Sequence, residues 1–200
     1  MRGKVGLFFT AVVMFGFVPF CAMTARTEEA IMKKAVMIIA QNEFKEEELF
    51  VPKQILEDAG IEVQVASATL ALARGVEGKT FQPQVMVKDI NVNEFDAIIF
   101  VGGGGATQYW NDPIAHKIAR DAYHGDKVVA AICVAPVTLA KSGILKDKRA
   151  TVWSSDSGQL LVAGAKYSGA NVEKDGKIIT AAGPFASREF GEELVKAILY

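Results

Sequence analysis

Cys133 is the residue best placed to do covalent chemistry. It follows the apolar run Val128-Val129-Ala130-Ala131-Ile132 and stands three residues before Pro136, which suits the first turn of a helix. The chain must reverse sharply at the cysteine, and the small Ala135 eases that turn. The arrangement resembles a nucleophile elbow, although no Gly-x-Cys-x-Gly is present. A helix starting just past the sulfur brings N–H groups and the positive end of its dipole close. The expected effect is a thiol pKa lowered from about 8.5 towards or below neutrality. Free cysteine is as often a small buried residue, so position alone leaves a reactive and an inert thiol evenly matched.

Three other features bear on chemistry. Gly102-Gly103-Gly104-Gly105 follows an apolar stretch and would let backbone approach a ligand closely. No Gly-Lys-Ser/Thr follows it, and the G-x-G-x-x-G/A spacing fails in every register. It is thus neither a P-loop nor a dinucleotide fingerprint. What remains is an amide-lined turn able to hold an oxyanion, or a tight turn with no ligand. Glu46-Glu47-Glu48 reads as a first helical turn favoured by the dipole. Because Leu49, Phe50 and Val51 follow, one glutamate is expected to be drawn inwards, where burial raises a carboxyl pKa. The residues alone do not say which. His116 and His124 fall in or at the end of one helix, with no cysteine or carboxylate at ligand spacing, so no metal site is expected. No Cys-His pair and no Ser-His-Asp set is evident.

The elements that would position these residues alternate strand and helix from Lys33 onward. Residues 35–40 form a continuous apolar run, as in a parallel strand buried on both faces. Residues 46–59 read as a helix stopped by Gly60, with Pro52 marking a kink or a late regular start. Residues 61–66 read as a strand. Residues 67–93 read as an excursion of small strands that includes Val85-Met86-Val87. Further strands are predicted over 97–101, 127–132 and 150–153. Helices are predicted over 113–124, capped by Asp112, and over 136–141, 157–163 and 187–199. Asp175-Gly176 turns a hairpin between 171–173 and 177–180. The alternation predicts an open, mostly parallel sheet covered on both faces, with ligands beyond the carboxyl ends of its strands. The Ala40–Glu48 stretch, the glycine run and Cys133 all fall at such ends.

Composition restricts what that site serves. The 200 residues carry a net charge of −1, so no charge excess advertises nucleic acid or an anionic surface. Half the residues are hydrophobic, enough for a well-buried core. Arg2 and Lys4 precede an apolar run from Val5 to about Ala22, followed by polar residues. Residues 1–25 therefore read as a signal peptide cut near Ala22 to Ala25, giving a periplasmic or extracellular protein, with residues 26–32 as a linker. The rivals are an uncleaved membrane anchor, a lipid-anchored Cys21, and a cytoplasmic domain started at Met32. Cys21 and Cys133 are the only cysteines. With the leader removed Cys133 stands alone and has no internal disulfide partner.

Several segments together resemble the DJ-1/PfpI family. These are Ala130-Ala131-Ile132-Cys133-Val134-Ala135-Pro136, the strand into Gly102-Gly103, Glu48-Leu49-Phe50-Val51-Pro52, and Ile178-Ile179-Thr180-Ala181-Ala182-Gly183-Pro184. The resemblance covers residues 33–200, in the family's order and spacing. It implies a flavodoxin-like three-layer α/β sandwich, commonly a homodimer or higher oligomer. It implies Cys133 as elbow nucleophile and Glu48 as the glutamate bonded to its sulfur. It also implies the Gly103 and Val134 amides as oxyanion donors, with Gly102, Gly104 and Trp153 lining the site. Two positions depart from the family. Members described as peptidases carry a histidine directly after the cysteine, where this chain has Val134. Members resembling DJ-1 often carry one in the strand after the elbow helix, where it has Trp153. The implied activity is cofactor-free glyoxalase or deglycase chemistry on small reactive carbonyls. The alternatives are a redox-responsive or chaperone-like stress protein with an oxidisable Cys133, a peptidase or amidase disfavoured by the missing histidine, and an inactive scaffold.

Overall fold

Strand β1 (Lys34–Ile38) is apolar on both faces because both are covered: Ala35, Met37 and Ile39 enter one core, Val36 and Ile38 the other. A computed structural model describes residues 32–200, together with Met1 and Gly3. The expected leader and its cleavage site lie outside the described residues. After β1 come β2 (Asn42–Phe44), α1 (Glu46–Asp58), β3 (Glu62–Ser67), β4 (Ala73–Gly75), β5 (Thr80–Phe81), β6 (Val85–Met86) and β7 (Ala97–Phe100). Then follow α2 (Pro113–His124), β8 (Val128–Ile132), α3 (Pro136–Lys141), β9 (Arg149–Ala150) and α4 (Ser157–Val162). The chain ends with β10 (Lys166–Tyr167), β11 (Val172–Asp175), β12 (Ile178–Ala181) and α5 (Ser187–Leu199).

Seven strands form one sheet in the order β11-β12-β8-β7-β1-β3-β6. Every neighbouring pair is parallel except the β11-β12 hairpin. Leu49 and Leu56 of α1 and Phe190, Leu194 and Ile198 of α5 share the core on one face; Ile118 of α2, Leu139 of α3 and Leu160 of α4 share the core on the other. This is the three-layer α/β sandwich expected from the alternating pattern. Such burial, at about 1.5–3 kcal/mol per large apolar side chain, is what fixes the helices against the sheet.

Two local expectations are corrected, and one strand that the sequence did not announce is added. The strand predicted over 150–153 pairs only at Arg149–Ala150, with β10. Beyond it the backbone is held by single bonds: the Thr151 N–H donates to Thr180 Oγ1 (2.8 Å) and the Trp153 N–H to the Cys133 carbonyl (2.8 Å). The helix at 46–58 runs regularly from its first turn, so Pro52 does not delay its start. Strand β2 carries no apolar run that would announce it; it pairs with β4, which with β5 makes a small separate sheet.

Candidate active site

The carboxyl ends of β7, β8 and β12 meet at Cys133. The cysteine sits in the left-handed region at φ +63°, rare for a side chain with a Cβ and costing about 1–2 kcal/mol. The strain is held by the sheet: the Cys133 N–H donates to the Ala181 carbonyl (2.9 Å), continuing the β8–β12 register. Its side chain is thereby turned into the core shared by α1 and α5, and the residue is only 9% exposed.

Glu48 is fully buried beside it. Gly102 makes this approach possible, since a Cβ there would stand 2.6 Å from Cys133 Cβ and nearer still to Glu48 Oε2. The first helical turn in fact draws two glutamates inwards. Glu46 turns the other way, and its Oε1 accepts from the Glu77 N–H (2.6 Å) and Lys79 N–H (3.3 Å), tying α1 to the β4–β5 turn. Glu47 stays exposed. The family resemblance selects Glu48; hydropathy alone does not separate it from Glu46.

The N–H groups of Gly103 and Val134 both face the sulfur. Each belongs to a peptide held from its other end. The Gly102–Gly103 carbonyl accepts from the Lys45 N–H (3.1 Å), and the Cys133–Val134 carbonyl accepts from the Trp153 N–H (2.8 Å). Gly103 has φ +97°, and a Cβ on it would come within 2.5 Å of Lys45 N. Only glycine allows this peptide to present its N–H to the sulfur. Trp153 thus serves the site through its backbone, a role its side chain does not advertise. Its ring, 40% exposed, lies against Gly183 next to Phe185. Gly104 lies further out, beside the Glu43 carboxylate.

The electrostatics differ from the sequence expectation. Burial, and then the charge of Glu48, push the Cys133 thiol up to about 12, against the pull of the Gly103 and Val134 amides. Helix α3 has six residues, too short for its dipole to outweigh a buried carboxylate. Burial likewise pushes Glu48 up to about 7; the Cys133 thiol and Gly102 N–H only partly offset it. The two groups therefore hold one proton between them over a wide pH range.

His116 and His124 are not among the groups facing the sulfur. The His116 ring bonds the Trp110 carbonyl (2.9 Å), and His124 ends α2. Among the described residues no cluster of three or more His, Cys, Asp or Glu side chains could hold a metal. A surface depression of about 880 Å³ runs along α2 on the other side of the sheet and includes Val87, Pro113 and His124. It contributes none of the groups around the sulfur.

The profile of the DJ-1/PfpI family matches residues 33–197. An uncharacterised protein of Methanocaldococcus jannaschii is 38% identical over 183 residues, with 89% of each chain covered. A protein of Pyrococcus abyssi named as a deglycase is 29% identical, covering 82% of this chain and 98% of its own. A protein of Caenorhabditis elegans named as a glutathione-independent glyoxalase is 26% identical, covering 84% and 90%. Among solved structures, a ThiJ/PfpI domain protein from Brachyspira murdochii superposes with a TM-score of 0.82 at 29% identity, covering 84% of this chain and 96% of that one. Sequence motifs, the elbow and these likenesses agree, and the chain belongs to the DJ-1/PfpI family.

Proposed function

We propose that this protein is a cofactor-independent enzyme acting on small reactive carbonyls, of the glyoxalase or deglycase kind. The observation that carries the reading is the Glu48 carboxyl, buried against Cys133 with its pKa raised to about 7, where a general base works best near neutral pH. Relatives named as deglycase and glyoxalase support the same chemistry.

With methylglyoxal as substrate, the Cys133 sulfur attacks the aldehyde carbon while Glu48 takes the thiol proton. A high resting thiol pKa suits this order, because deprotonation and attack proceed together. The carbonyl π electrons move to oxygen, which the Gly103 and Val134 N–H groups stabilise. Glu48 returns the proton to that oxygen, completing a hemithioacetal. Glu48 then removes the proton on the former aldehyde carbon and delivers a proton to the neighbouring ketone carbon through an enediol. The first carbon is oxidised to a thioester and the second reduced to an alcohol. Water cleaves the thioester, giving lactate and the free thiol. The sum is methylglyoxal plus water to lactate, with no external oxidant or reductant.

Purified protein incubated with methylglyoxal is expected to release lactate, and Cys133→Ala to release none. Equal lactate from both proteins would sink the assignment. The peptidase reading lacks support because no histidine faces the sulfur. A redox-responsive role is opposed by the burial and raised pKa of the thiol.

A further inference from the structure

The carbonyl of Val134 is satisfied mainly by a side chain. Helix α3 offers it little: the Thr138 N–H, four residues on, donates to the Ala135 carbonyl (2.9 Å), and the Val137 N–H reaches Val134 only at 3.3 Å. The Trp110 indole supplies the better bond, its Nε1–H donating to the Val134 carbonyl at 3.0 Å. Val134 is also the residue whose own N–H faces the Cys133 sulfur. Both of its backbone groups are therefore committed, one to the reacting atom and one to Trp110. The peptide that carries the N–H is gripped at its other end by the Trp153 N–H, which donates to the Cys133 carbonyl (2.8 Å).

Trp110 is itself held at three further points. Its N–H donates to the Thr107 carbonyl (3.1 Å), its carbonyl accepts from His116 Nε2 (2.9 Å), and the Lys141 ammonium lies over its ring, 5.5 Å from the centroid. The residue is half-buried against the core shared by α2, α3 and α4. A short, braced path joins it to the glycine turn. The Ala106 N–H donates back to the Gly103 carbonyl (3.0 Å), and the Tyr109 hydroxyl pins the 3-10 turn Gly104–Tyr109 to the end of β1 by donating to the Ile39 carbonyl (2.9 Å). This segment thus begins at Gly103, one of the two N–H donors facing the sulfur, and ends at Trp110, which grips the residue carrying the other.

We propose that Trp110 is a positioning residue for the oxyanion donors: by donating to the Val134 carbonyl it fixes the direction of the Val134 N–H and its spacing from the Gly103 N–H. This rests on the proposed role of Cys133 as nucleophile with those two amides as donors, and not on which carbonyl is turned over. The indole touches no reacting atom. Its effect is felt when negative charge stands beside Val134, on the thiolate sulfur or on the oxygen of the adduct. Loss of the bond therefore falls on kcat and on thiolate reactivity rather than on KM.

Replacing the Trp110 indole by benzothiophene, as 3-benzothienylalanine, exchanges the N–H for sulfur and keeps the ring. In that isosteric variant kcat for lactate from methylglyoxal is expected to fall about tenfold, less than complete loss of an oxyanion donor, with KM within about twofold of the parent. Alkylation of Cys133 by iodoacetamide at pH 8 needs no carbonyl substrate. It is expected to slow about threefold, as the thiolate loses part of a donor. Trp110→Phe is expected to show both effects. An isosteric variant that alkylates at or above the parent rate overturns the proposal, because the ring then serves packing alone. One whose KM moves while kcat holds overturns it too. The isostere decides even if Trp110→Phe folds poorly. Should the parent form no lactate, the carbonyl assignment falls, and the alkylation comparison still decides the role of Trp110.

Discussion

In the proposed mechanism the chemistry turns on how one proton is shared by two buried side chains. Glu48 raises the Cys133 thiol by its charge, and burial raises Glu48 itself. Replacing the carboxylate by an amide separates these effects. In Glu48→Gln the thiol loses a negative neighbour, and alkylation at pH 8 is expected to rise about tenfold, the equivalent of one pKa unit. Carbonyl turnover is expected to fall by about a hundredfold or more, because the proton carrier is gone. A reactive but inactive variant is what distinguishes a proton shuttle from a merely structural carboxyl. The same group ties stability to pH. Its folded pKa of about 7 lies above the ordinary value of 4.5, so the folded state binds the proton more tightly than the unfolded chain. Its cost is absent below about 4.5 and grows as pH rises through about 7, reaching about 3 kcal/mol, order of magnitude, above that. Urea unfolding of the parent is expected to show this loss between pH 4.5 and 8, and Glu48→Gln to lack it. A parent whose stability is flat over that range would show that Glu48 ionises freely.

At the scale of elements, the site is a meeting of strand ends whose peptides are clamped in pairs. The start of α1 reaches Gly102 through the Lys45 N–H and carries Glu48; the segment after β9 reaches Cys133 through the Trp153 N–H. Gly103→Ala attacks the first clamp. A Cβ there enters the Glu43–Lys45 backbone and also forces φ +97° on a residue that resists it. Overpacking and strain together are expected to lower stability by about 2–4 kcal/mol, with turnover falling further as one oxyanion donor moves away. Urea midpoints and lactate assays read the two separately. Much of this was legible beforehand. The apolar strands, the elbow at Cys133, the glycine turn and the capped helix at Pro113 follow from hydropathy, proline and glycine. What escaped has a physical reason. The clamps are made by backbone N–H groups of Lys45 and Trp153, which any residue could supply. The two inward glutamates look alike until the turn at Glu77–Lys79 claims one of them. The thiol pKa was expected on the wrong side of its ordinary value because burial of Glu48 against the sulfur depends on how α1 packs beside β3 and α5.

For the whole molecule, the burial of Cys133 bears on where the protein can work. The described residues contain a single cysteine, and it is free. An exposed lone thiolate in an oxidising compartment is captured by small disulfides. Here the thiol is 9% exposed and its pKa lies far above ambient pH, so its thiolate fraction is small at rest. In the proposed mechanism such a nucleophile is expected to survive oxidising surroundings, because its thiol is activated only when Glu48 takes its proton during attack. That makes the chemistry compatible with export, which the basic start and apolar run of residues 1–25 suggest. Among the described residues no helix is long and apolar enough to cross a membrane. We propose that the protein is exported and cleaved near Ala22 to Ala25. Full-length chain with a C-terminal tag, expressed in a bacterial host, is expected in the periplasmic or culture fraction. Its mature N-terminus, mapped by mass spectrometry, is expected within residues 22–26, with Cys133 recovered as a free thiol. Intact chain in the membrane fraction would make residues 1–25 an anchor, and protein beginning at Met32 in the cytosol would remove the leader altogether. A cleaved protein whose Cys133 is recovered as a mixed disulfide would show that burial does not shield the sulfur, and the link drawn here between its high pKa and its compartment would fail.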